Sequence, residues 1–68
     1  MLFTIEDEQE EDGRWLAEVL ELPGVLAYGL TREVALARVQ ALALRVLADQ
    51  LEHEEASPLM TSISFAAA

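Results

Sequence analysis

Residues 12–35, DGRWLAEVLELPGVLAYGLTREVA, hold a turn, a strand, a second turn, a second strand and the start of a helix. Asp12-Gly13 suits the positive φ of a hairpin turn. Trp15, Ala17 and Val19 then alternate with Leu16, Glu18 and Leu20, the period of a strand with an aromatic and small apolar side and a mixed one. At Leu22-Pro23-Gly24 the chain reverses, because proline lacks the N–H a ladder needs and glycine allows a left-handed turn. A further strand follows over residues 25–30, with Val25, Ala27 and Gly29 on one face and Leu26, Tyr28 and Leu30 on the other. Gly29 fits a bulge or the close approach of another backbone. Thr31 is a good helix N-cap.

Upstream, residues 1–5 place Phe3 and Ile5 on one face of a first short strand. Six acids then occupy the seven positions from Glu6 to Asp12, and their repulsion argues against regular pairing there. Downstream, about 22 residues rich in alanine, leucine and arginine, without glycine or proline, predict one long helix. Ala35, Val39, Leu42, Ala43, Val46 and Leu47 form its sheet-facing stripe, while Arg38, Arg45, Asp49 and Glu52 mark its wet side. Ala37, Leu44, Ala48 and Leu51 widen the apolar arc beyond what a small sheet can cover, which points to self-association as a dimer or tetramer, with Leu44, Ala48 and Leu51 as candidate contacts. The helix is expected to fray through residues 52–55 and to stop by Ser57-Pro58. A last strand is expected over residues 61–65, with Ile63 and Phe65 on one side and residues 66–68 as a small tail.

The fold expected is α+β: one domain over residues 1–68, a β-β-β-α-β two-layer arrangement. A three-stranded antiparallel meander is joined by a fourth strand parallel to the first, in the order 3-2-1-4, with one long helix packed on one face. The four aromatic residues fall one to a strand.

Composition narrows the function classes. A 68-residue chain buries a modest core, and with no cysteine and a single histidine neither disulfides nor a structural metal is expected to reinforce it. Thirteen acids against four arginines give a net charge of −9, which opposes polyanionic nucleic acid and anionic membrane surfaces and favours a basic partner. No signal peptide or membrane span is read in the chain, and the absence of cysteine suits the cytoplasm.

Asp12-Gly13-Arg14-Trp15-Leu16-Ala17, then Leu22-Pro23-Gly24, then Ala27-Tyr28-Gly29-Leu30-Thr31 with Glu33 and Ala35, resembles the HicB-like antitoxin family. The family pattern is DG, aromatic, any residue, Ala, then LPG, then A-x-G-x-T leading into a helix. The resemblance covers roughly residues 3–53. It implies a partial ribonuclease H-like layout and a non-catalytic role in binding and neutralising a small basic HicA-like toxin that cleaves messenger RNA. Many family members carry a DNA-binding module after this domain. None is read before Ala68, so direct nucleic acid binding by this chain alone is not expected. Val34 stands where the family often has an acid, so a capping box with Thr31 is incomplete.

The candidate partner surface is the acidic hairpin and the second strand: Glu8, Glu10, Glu11, Glu18, Glu21 and Tyr28. Its acids either steer a basic partner or simply keep a hairpin tip solvated. Gly13, Trp15, Ala17, Pro23, Gly24, Gly29 and Thr31 are read as scaffold. A ribonuclease H-type metal site needs several converging carboxylates; Glu6 and Glu33 are the only two suggested, and the last strand offers none. His53 beside acids at a helix end is read as exposed rather than catalytic. No enzyme activity and no cofactor are expected. The alternative is an orphan oligomeric protein-interaction module of the same fold with no toxin partner.

Overall fold

The computed structural model describes residues 1–54 and 62–68. Its elements are β1 (Leu2–Gln9), β2 (Trp15–Val19), β3 (Leu26–Gly29), α1 (Arg32–Glu52) and β4 (Ser64–Ala67). The sheet order is β3-β2-β1-β4, antiparallel throughout except for the parallel β1–β4 pair. Helix α1 covers one face, so the α+β architecture and strand order are as the sequence reading expects.

Both turns follow from their residues. Glu10 and Arg14 close the first, where the Glu10 N–H donates to the Arg14 carbonyl at 2.7 Å and Gly13 sits at φ +90°. The Asp12 carboxylate accepts from the Arg14 N–H at 3.0 Å and from its Nε at 2.8 Å, which holds the Asp12 carboxyl below its ordinary range. In the second, Pro23 and Gly24 at φ +84° are the central residues of a tight turn that the Val25 N–H closes on the Leu22 carbonyl at 3.0 Å.

Phe3, Ile5, Ala17, Val19 and Val25 meet Ala35, Val39, Ala43 and Leu47 in the core, which among the described residues contains no polar side chain. The helix lies chiefly over β3 and β2. Gly29 explains how it comes so close: a Cβ there would stand 2.5 Å from the Ala35 backbone nitrogen. Thr31 caps the helix, its Oγ1 accepting from the Val34 N–H at 3.1 Å. On the β1–β4 side, Phe3 and Phe65 bring their rings to 5.9 Å between centroids.

Three expectations need correction. The acidic run does pair: Glu6, Asp7, Glu8 and Gln9 extend β1 opposite Glu18, Ala17, Leu16 and Trp15. Strand alternation sends Glu6 and Glu8 to solvent, whereas Asp7, on the helix side and only 17% exposed, meets Arg32 Nε at 2.8 Å. Repulsion is thereby diluted over two faces and offset at Asp7 by a charge from the helix start. The last strand lies further along than expected, at Ser64–Ala67, where its parallel ladder with Leu2–Ile5 sets the register. Of the expected span, Thr61 lies outside the described residues, as do Glu55 and Ser57-Pro58. The third strand is shorter than residues 25–30, since Val25 and Leu30 belong to its flanking turns.

At its far end α1 continues through Glu52 and is capped at His53, whose Nδ1 lies 2.8 Å from the Asp49 carbonyl oxygen and 3.3 Å from Asp49 Oδ1. His53 is thus an exposed cap residue held by a carbonyl and a neighbouring acid.

Candidate functional site: the open face of the sheet

With α1 on one side, alternation leaves Leu2, Thr4, Glu6 and Glu8 of β1 on the other, with Leu16 and Glu18 of β2 and Leu26 and Tyr28 of β3. The register arranges them in rows. Glu8, Leu16 and Tyr28 lie side by side across three strands, and Glu6, Glu18 and Leu26 form the next row. Leu20, 47% exposed, continues the face just past β2, where its N–H donates to the Thr4 carbonyl at 3.0 Å. Carboxylates are thus set beside an aliphatic and aromatic strip.

Glu6 and Glu18 stand directly opposite each other in the ladder. Like charges so placed destabilise a sheet. At the end of the face Arg14 lies over the Tyr28 ring, its guanidinium carbon 4.7 Å from the centroid. That cation is already paired with Asp12, and the shallow depression around the two is rimmed by Glu10, Glu11 and Asp12.

Of the sequence-derived partner residues, Glu8, Glu18 and Tyr28 share the open face, and Glu10 and Glu11 flank its end at the β1–β2 turn. Glu21 does not join them. It sits in the β2–β3 turn, where its Oε1 accepts the Thr4 N–H at 2.7 Å just beyond the last β1–β2 pair. That bond holds the Glu21 carboxyl below its ordinary range and makes its contribution structural.

Glu6 belongs to this face as well, although the sequence reading places it only among candidate metal carboxylates and not on the partner surface. The signal was available, since continuing the alternation of Phe3 and Ile5 by two residues puts Glu6 and Glu8 in phase with Leu2 and Thr4.

The same alternation separates Glu6 from Glu33. Glu6 lies on the open face, whereas Glu33 is in the first turn of α1 on the opposite side of the sheet, so the two carboxylates do not converge. Among the described residues no group of three or more His, Cys, Asp or Glu side chains is placed to hold a metal ion.

The described residues contain no helix long and apolar enough to cross a membrane. Of the scaffold residues, Gly13, Pro23 and Gly24 lie in the turns, Ala17 in the core, Gly29 at the close contact and Thr31 at the cap, while Trp15 is half-buried and packs against the core beside Gly29. What the open face offers chemically is a flat, mixed surface whose acids lie beside apolar groups, suited to a basic partner with apolar anchors. No family model matches the chain, and neither a curated protein nor a solved structure matches it.

Proposed function

We propose that this chain is a HicB-like antitoxin domain of the cytoplasm, non-catalytic, which binds and neutralises a small basic HicA-like messenger-RNA-cleaving toxin. The observation that carries the reading is the open sheet face, where Glu6, Glu8 and Glu18 lie in register beside Leu16, Leu26 and Tyr28. The ordered DG, LPG and A-x-G-x-T stretches supply the family resemblance. The net charge of −9 supplies long-range attraction, which raises encounter rates with a basic protein by roughly ten- to a thousand-fold. Tyr28 and the leucines provide the desolvated anchors that hold a partner once it arrives.

Coexpression with the product of the neighbouring reading frame tests this. A small basic protein should copurify, dissociate as salt rises, and arrest growth when expressed without this chain. Replacing Glu6 and Glu18 together by arginine should weaken the complex without unfolding the domain. A neighbouring product that is neither basic nor bound overturns the reading. The orphan interaction module then stands as the second reading, favoured by the exposed apolar stripe on α1.

A further inference from the structure

Helix α1 carries a second apolar stripe, turned away from the sheet. Val34, Ala37, Ala41, Leu44, Ala48 and Leu51 are all exposed, Val34 to 37%, Leu44 to 47% and Leu51 to 41%. Their spacing alternates three and four residues through the helix, which is the a and d pattern of a heptad, and each such position is apolar. At 100° per residue the six occupy an arc of about 100°, on the far side from Ala35, Val39, Ala43 and Leu47. The stripe is therefore a seam with the period of a helix partner, distinct from the sheet-facing core.

The flanking charges identify the occupant. Glu33 stands before the first a position and Arg38 after the first d position. In a parallel pair of identical helices these two positions meet across the seam, so Glu33 of each copy faces Arg38 of the other. In an antiparallel pair, matching Val34 with Leu51 instead sets Arg38 against Arg45 of the second copy with no acid to offset them. Within a parallel arrangement, Val34 at a with Leu44 and Leu51 at d fits two helices rather than a higher assembly. Alanine at 37, 41 and 48 lets the helix axes approach closely. Arg38 donates through Nη1 to the Tyr28 carbonyl at 3.0 Å, and a guanidinium has further N–H donors with which to meet an acid across the seam.

We infer that the outer stripe of α1 pairs in parallel with the same stripe of a second copy of this chain, flanked on both sides by Glu33–Arg38 ion pairs. The inference does not depend on the toxin. In such a dimer both sheets lie outside the seam, and their open faces point away from each other.

The test uses the full chain. Sedimentation should show a concentration-dependent rise from 7.5 kDa towards twice that mass in the micromolar range. Ala41→Glu, at the centre of the seam, should raise the dissociation constant at least about tenfold while the circular dichroism stays unchanged. Glu33→Arg should weaken association, and adding Arg38→Glu should restore it.

Because the chain has no cysteine, direction is read separately. Val34→Cys and Leu51→Cys should each form a disulfide with its own copy under oxidised glutathione. A mass of one chain at all these concentrations overturns the proposal. So does cross-linking found only between Val34→Cys and Leu51→Cys chains in a mixture, which would mean an antiparallel pair.

Discussion

On the helix side of β1 and β2, Phe3, Ile5, Ala17 and Val19 are all but sealed from water, while one residue along each strand Leu2, Glu6, Glu18 and Leu20 face the open side. The two faces are made by the same backbone, so neither strand propensity nor pairing distinguishes them. What differs is whether anything lies across them. Beneath the helix the closed face is apolar, with Asp7 nearer its end neutralised by Arg32, and its cost of change is packing. The open face mixes leucine, tyrosine and carboxylate, and it retains an unfavourable Glu6–Glu18 juxtaposition that stability alone would remove. A surface kept at some cost to the fold is where function is to be sought.

Truncating one aliphatic side chain on each face should separate the two most strongly. Ile5→Ala should cost about 3 kcal/mol by opening a cavity and lower the melting temperature by roughly 12–24 °C. Leu26→Ala, on the open side, should cost under about 0.5 kcal/mol in a dilute sample. Equal losses in calorimetry would mean that the open face is closed in solution and that the contrast is false.

A smaller effect of opposite sign tests the acid pair. Glu18→Gln should stabilise the domain by about 0.2–1 kcal/mol, seen as a higher urea midpoint at low salt. The gain should fade as salt screens the two exposed charges. A loss of stability would show that Glu18 has a favourable role in the fold.

The smallest change separates Glu21 from the acids of the open face. Its carboxyl is held below its ordinary value of 4.5 by the Thr4 N–H. Its contribution is therefore present above that value and disappears as pH falls through the lower folded-state value. The difference in melting temperature between the protein and Glu21→Gln should be present at neutral pH and shrink on acidification below 4.5. A difference that grows on acidification would contradict the assigned bond.

The core and the turns were legible because each depends on local chemistry: alternation for Ala17 and Val19, positive φ for Gly13 and Gly24, a hydroxyl cap for Thr31. The acidic stretch was misread because its net charge hid its period. Asp7 answers to Arg32, 25 residues away, and no local pattern announces that partnership. Glu21 reads as a partner-facing acid for a similar reason: it is exposed, and its use as an acceptor for β1 exists only once β2 has turned away. The grouping on the open face needed the strand register, which places Glu8 beside Leu16 and Leu16 beside Tyr28. That register was implicit in the turns but could not be aligned before the true length of β1 was known.

The bond from Arg38 to the Tyr28 carbonyl has a consequence in time rather than in stability. β3 is the outermost strand on its side of the sheet, and the guanidinium occupies an acceptor that an incoming strand from another molecule would use. Arg38→Ala therefore turns a protected border into a nucleation site. Its signature is a shortened lag before fibres form in a concentrated, slowly stirred sample, with a melting temperature almost unmoved.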